Sequence, residues 1–270
     1  MSLNALPDSS GPEELLYCVH PDGIATATLN RPAQRNALTL GMYEGLASIC
    51  AGIKPGGPVK VLIVTGAGDK AFGAGTDIAT FRDIKTEQDA FDYEARMDRI
   101  LSTIEQTAVP TIAAIAGACT GGGAAIANVC DLRIATADMR YGFPIARTLG
   151  NCLSMTNLAR LAALIGYART KEILFTARLI AAEEALATGL VSEVLPDHAA
   201  LILRASQLAA TLTSHAPLTL RATKEALRRL RDETLNGRDR DLIALCYTSA
   251  DFREGMEAFL AKRTPHWQGR

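Results

Sequence analysis

Ala116-Gly117-Ala118-Cys119-Thr120-Gly121-Gly122-Gly123-Ala124-Ala125-Ile126-Ala127-Asn128-Val129-Cys130-Asp131 is the stretch on which the reading of this chain turns. An apolar run, Thr111–Ile115, leads into it and reads as a strand. Three glycines then give way to small apolar residues that read as a buried helix. Glycine at that junction allows a ligand to approach the backbone closely, and it starts a helix whose first N–H groups have no intrahelical acceptor. Such groups hold an anion or a developing negative charge. By itself the same pattern also fits a tight strand-to-helix turn in a crowded core.

Working outward, Leu15–Val19 and Ile24–Leu29 read as two strands joined at His20-Pro21-Asp22-Gly23. Asn30-Arg31-Pro32 closes the second, a loop follows through Leu38, and Thr39 is placed to cap a helix running to about Cys50. Val59–Thr65 is a nearly continuous β-branched run, as expected of a strand covered on both faces. A small-residue loop, Gly66–Asp77, follows it. Ile78–Gln106 is charged and helical in pattern, with Phe91, Met97, Ile100, Leu101 and Ile104 as its apolar face. Leu132–Thr136 is another short strand. Strands thus alternate with helices, which argues for an α/β core with right-handed crossovers. From about Leu158 the chain reads as successive helices: 157–165, 170–176, 182–188, 199–214, 218–230 and 235–262, punctuated by Gly166, Gly189, Pro196 and Pro217. The domain organisation read here is a flexible start (1–13), a core (14–195) and a helical C-terminal region (196–270).

Composition narrows the function classes. The chain has 270 residues, 48% hydrophobic, with a formal net charge of −1. It has enough apolar residues for a large core, and no basic run suggests nucleic acid or an anionic membrane as partner. No apolar run is long enough to span a bilayer. The six cysteines are scattered without a Cys-x-x-Cys pair, and the four histidines are dispersed. Reduced thiols, a cytoplasmic location and no metal site are the expectation.

Two loops carry candidate chemistry. Gly66-Ala67-Gly68-Asp69-Lys70-Ala71 fits the dinucleotide fingerprint G-x-G-x-x-A, but it does not open directly into a helix as phosphate binding requires. The more productive reading takes both strand-end loops together. If strands 59–65 and 111–115 are parallel neighbours, both loops leave the same edge of the sheet, where α/β proteins bind ligands. One N–H from each would then converge on a single oxygen, an oxyanion hole built without side chains.

At this point the residues resemble the enoyl-CoA hydratase/isomerase (crotonase) superfamily. The resemblance rests on Asn30-Arg31-Pro32, Asn36-Ala37-Leu38, Val64-Thr65-Gly66, Lys70–Ile78, Ala116–Gly123, Cys130-Asp131, Phe175–Ala185, Gly189-Leu190-Val191, Arg253–Phe259 and Lys262-Arg263. It spans about Leu15 to Arg263. It implies a crotonase-like spiral of ββα turns with a helical C-terminal trimerisation region, assembled as a homotrimer or a dimer of trimers. It implies an acyl-CoA thioester as substrate, so that coenzyme A enters with the substrate and no separate cofactor is expected. The backbone N–H groups of Thr76 and Gly122 would form the oxyanion hole. Arg35, Ala37, Leu38, Ala74, Asp77 and Ile78 match CoA-contacting loops, and Phe259 and Lys262 match C-terminal positions that reach a CoA site.

The chain departs from the family where hydration chemistry resides. The two glutamates of a hydratase fall at Ala125 and Ile145 here. Neither side chain transfers a proton, and each lost acid–base partner costs on the order of 10²-fold or more. Arg147 lies nearest the second vacancy. Its guanidinium stays protonated, so it is a candidate for binding an acidic acyl group and not for use as a base. Asn151 and Ser154 are candidates for holding water or for capping. Cys119 reads as a buried inert thiol, and Asp131 as a structural hydrogen-bonding group. Three functions follow from the residues: an enoyl-CoA hydratase/isomerase-type lyase or isomerase with displaced acid–base groups, a decarboxylase or thioester hydrolase of an acidic acyl-CoA, and a non-catalytic CoA-ester-binding protein.

Overall fold

The computed structural model describes residues 13–81, 84–232, 249–261 and 263–270. Six strands form the main sheet: β1 (Leu15–Val19), β2 (Ile24–Leu29), β3 (Val61–Gly66), β5 (Thr111–Ile115), β7 (Leu132–Thr136) and β10 (Glu193–Leu195), in that spatial order. β1 is antiparallel to β2, and every other neighbouring pair is parallel. A second sheet consists of short strands: β4 (Ala71–Gly73), β6 (Ala118–Thr120), β8 (Arg140–Gly142) and β9 (Ile180–Ala181).

The helices are α1 (Leu40–Gly52), α2 (Glu87–Glu105), α3 (Gly122–Val129), α4 (Ile145–Thr148), α5 (Met155–Thr176), α6 (Ala182–Ala187), α7 (His198–Thr213), α8 (Pro217–Asp232) and α9 (Ala250–Ala261). The chain therefore repeats one unit: a main-sheet strand, a short second-sheet strand, then a helix. β3-β4-α2 and β5-β6-α3 are two such turns, and β7-β8-α4 begins a third. This is the crotonase spiral, the fold class expected above.

Alternation along the central strands explains their unbroken apolar sequence. Val61 and Ile63 of β3 join Ile112, Ala114 and Ile134 in a cluster covered by Leu201, Ala205 and Ala209, one stripe of α7 at i, i+4, i+8. Leu62 and Val64 face the other way, into the larger core shared with α1, α2 and α3. Fully burying one leucine such as Leu62 contributes about 2 kcal/mol.

Local signals set the helix starts. The Thr39 hydroxyl accepts from the Met42 N–H, as its capping position suggests. Thr86 and Asp89 form a reciprocal capping box that starts α2. Two expectations need correction. The short second-sheet strands, and β10 of the main sheet, were not read from the residues, because strands of two or three residues leave no periodic pattern. Phe91 is 59% exposed and lies off the apolar face of α2. The break expected between helices 157–165 and 170–176 is present within α5: Gly166, at φ 77° and ψ 157°, is non-helical and kinks the element there. The helix expected at 235–262 is described only as α9, since 233–248 and Lys262 lie outside the described residues, as do positions 1–12 of the expected flexible start.

Candidate active site

The Gly66–Asp77 loop and the Gly121-Gly122-Gly123 turn meet because β3 and β5 are parallel neighbours, and because their extensions β4 and β6 pair again in the second sheet. The spacing is too tight for side chains at the turn. A β-carbon on residue 123 would overlap the Gly73 carbonyl, and one on residue 122 would overlap the Tyr43 hydroxyl. These two glycines are required by close approach.

A third segment locks the first loop. Asn36 is buried with φ +55°, and its side chain bonds three backbone groups: it donates to the Ala67 and Ala71 carbonyls (3.0 and 2.7 Å) and accepts from the Arg31 N–H (2.9 Å). The Arg31 guanidinium reaches the Ala37 carbonyl and the Asp77 carboxylate, each at 2.8 Å. The Leu38 N–H donates to the Gly75 carbonyl, and the Asp77 N–H donates to the Leu38 carbonyl, both at 2.8 Å. Leu38 thus bonds the two residues flanking Thr76. In extended chain, successive peptide groups point to opposite edges, so the Thr76 N–H faces away from Leu38. Among the described residues, no backbone carbonyl accepts from it. Gly122 is the first residue of α3, and its N–H has no intrahelical acceptor.

Both residues border a cavity of about 510 Å³. Tyr43, from α1, lies between them, with its hydroxyl 2.8 Å from Thr76 Oγ1. Burial pushes the Tyr43 phenol far up, so the hydroxyl stays neutral and able to donate. Arg35, Ala37, Ala74, Asp77 and Ile78 line the same cavity. Leu38 is fully buried and contributes through its backbone bonds. Phe259 lies on α9, and nothing is described of its side chain.

Ala125 and Ile145, the positions at which the resemblance leads us to expect carboxylates, also line the cavity. Both contribute apolar side chains to its wall. Arg147 is exposed and is not part of the cavity wall. On the short α4, Ile145 and Thr148 face the cavity, and a residue two places from Ile145 falls on the opposite side. Asn151 borders the cavity, whereas Ser154 caps α5 and donates to Asp98 at 2.7 Å. Cys119 is buried, and desolvation raises its thiol far above its ordinary value, consistent with an inert role. Asp131 accepts from the Thr111 N–H and hydroxyl and pairs with Lys224 at 2.8 Å, a structural role.

The sequence reading missed Tyr43, Tyr93 and Glu94 among the cavity residues. Glu94 of α2 lines the wall three and seven residues before Met97 and Leu101, which line it too. Its signal was a carboxylate on an apolar stripe. Burial, and then the nearby Asp98 charge, push its carboxyl above the usual range.

Comparison with known proteins agrees with this architecture. The family model for enoyl-CoA hydratase/isomerase matches residues 20–270. A short-chain-enoyl-CoA hydratase of Clostridium acetobutylicum is 32% identical over 243 residues, covering 89% of this chain and 92% of its own. A 2,3-dehydroadipyl-CoA hydratase of Escherichia coli is 32% identical over 246 residues, with 90% and 94% covered. A crystal structure of an enoyl-CoA hydratase/carnithine racemase from Magnetospirillum magneticum superposes with a TM-score of 0.87 at 32% identity, covering 96% of this chain and 97% of that one. The chain belongs to the enoyl-CoA hydratase/isomerase family.

Proposed function

We propose that this protein binds an acyl-CoA thioester and stabilises its enolate between the N–H groups of Thr76 and Gly122. The observation that carries the reading is that these two N–H groups, brought to one cavity edge by two loops, lack backbone acceptors among the described residues. Donors fixed before the substrate arrives cost no reorganisation when charge develops on the thioester oxygen. Coenzyme A enters as part of the substrate, along the wall bearing Arg35, Ala74 and Ile78, with Phe259 and Lys262 as C-terminal candidates from a neighbouring copy in a trimer. The curated relatives quoted above act on enoyl-CoA esters, which supports the same substrate class. Apolar residues at 125 and 145 argue against hydration as the efficient reaction. The exposed position of Arg147 gives no support to an acidic acyl group.

The test is a titration with a 3-oxoacyl-CoA, whose enolate absorbs in the near ultraviolet. Saturable binding with growth of the enolate band is expected, because the hole stabilises that form. Binding without the band would sink the oxyanion hole, and absence of binding would sink the substrate class.

A further inference from the structure

We propose that Glu94 is the general base of this enzyme, acting from α2 on the acyl group held at Thr76 and Gly122, and that the reaction it serves is migration of a double bond along the acyl chain. The proposal rests on the acyl-CoA reading above.

Three observations carry it. First is position. Glu94 shares a cavity wall with Met97 and Leu101, and α2 packs against α3, whose Ala125 lines the same cavity. Glu94 and Ala125 thus border one cavity from two helices packed against each other. Second is the state of its bonds. Among the described residues Glu94 makes no hydrogen bond and no ion pair, although it is half-buried. By contrast, the partly buried Glu105, Asp131, Glu184 and Glu225 each meet a cationic side chain. A half-buried carboxylate without a partner loses hydration and gains nothing in the free protein. It is the kind of group a substrate-facing role explains.

Third, among the described carboxylates, phenols and guanidinium that line the cavity, the others are engaged or unsuited to take a proton, and the remaining ionisable group is the thiol of Cys152. Tyr43 is held by Thr76, Asp77 is tied to Arg31 and to the Ala79 N–H, and Arg35 cannot accept a proton. Burial pushes the Tyr93 phenol up, which leaves it a poor base near neutral pH.

A single carboxylate suits one reaction better than another. Hydration calls for one group to activate water and a second to protonate carbon. Double-bond migration needs one group, which takes a proton and returns it. In a 3-enoyl-CoA, a Glu94 oxygen removes a proton from Cα, and the C–H pair flows toward the thioester carbonyl, leaving a dienolate whose oxygen rests on the two N–H groups. The protonated Glu94 then delivers that proton to Cγ. The pair on oxygen returns, the double bond stands between Cα and Cβ, and Glu94 is a carboxylate again. Nothing is oxidised and no water is consumed.

Asp98 acts on Glu94 from the next turn of its own helix, and the ionisable groups that share the cavity lining with Glu94 among the described residues are Tyr93 on the same helix, Tyr43 on α1, Arg35 and Asp77 on the loops, and Cys152 on the segment before α5. Burial, and then the Asp98 charge, oppose ionisation of Glu94, so activity should fall on acidification at a pH above the ordinary glutamate range, and Asp98→Asn should move that limb part of the way to lower pH.

The experiment compares wild type, Glu94→Gln and Glu94→Asp. Wild type should exchange the Cα protons of a saturated acyl-CoA in D₂O and convert a 3-enoyl-CoA to the 2-enoyl isomer. Glu94→Gln should lose both by 10²-fold or more while binding 3-oxoacyl-CoA within about threefold of wild type and keeping the enolate band. Glu94→Asp should recover part of the rate. Exchange by Glu94→Gln at the wild-type rate would overturn the proposal. So would a wild type that binds the ester, shows the band, and neither exchanges nor isomerises. Failure of wild type to bind any CoA ester would overturn the reading beneath the proposal, and it would be seen before any variant is made.

Discussion

The Tyr43 hydroxyl lies 2.8 Å from Thr76 Oγ1 and occupies the place where a β-carbon on residue 122 would fall. The three residues come from α1, the loop after β4 and the start of α3. They form one close-packed unit in which glycine is the only residue that fits at 122.

Gly122→Ala should therefore displace Tyr43 and disturb both halves of the proposed hole. Loss of an oxyanion donor costs on the order of 10²-fold or more in kcat. Steady-state kinetics and loss of the enolate band would register the effect. A variant with unchanged kcat and band would refute the arrangement.

Tyr43→Phe removes the obstructing oxygen and leaves the ring. Alone it should cost about 1 kcal/mol, the worth of an ordinary hydrogen bond. Combined with Gly122→Ala it should cost less than the sum of the two single changes, because the added methyl gains room. A double-mutant cycle of denaturant unfolding measures the coupling. Strict additivity would show that the two sites do not share that space.

Asn36→Ala should destabilise by roughly 3 kcal/mol. It leaves two carbonyls and one N–H without their partner and puts alanine at a left-handed backbone position. The denaturation midpoint should fall with little change in the slope. Affinity for CoA esters should fall as well, since Arg35 and Ala37 flank Asn36.

Glu105 bonds Arg160 at 2.8 Å and also Arg231, with side-chain exposures of 13% for Glu105 and 2% for Arg160. Burial by itself would raise the Glu105 carboxyl, but the bonds from Arg231 and Arg160 outweigh it and hold the group below its ordinary value. The stabilisation is thus complete above the unfolded-state value, about 4.3, and is lost as pH falls through the depressed folded one. Glu105→Gln should cost about 3 kcal/mol at neutral pH, because it strands Arg160. It should also flatten the acid side of the stability–pH curve. An unchanged acid slope would count against this linkage.

Arg147→Ala tests the reading that assigned that residue to an acidic acyl group. Its exposed position predicts changes in kcat/KM within about twofold for both acidic and neutral acyl-CoAs, as for ordinary surface substitutions. A selective loss with acidic substrates would return Arg147 to the site.

The sequence alone determined five of the six main-sheet strands, all but β10, together with the capping of α1, the family, and the two loops that carry Thr76 and Gly122. Each of those is written in local signals: apolar runs, a threonine before a helix, small residues where backbones touch. The short second-sheet strands were not legible, because two or three residues have no period. Tertiary structure decided which side chains share the cavity. Arg147 is near Ile145 in sequence, yet the turn of α4 takes it to the surface. Glu94 is 28 residues before Gly122, yet the packing of α2 on α3 places it on the wall that Ala125 shares. The Gly-Gly-Gly turn shows both levels. Its composition marked a close approach of chain to chain, and only the fold revealed that Gly73 and Tyr43 are what approach it.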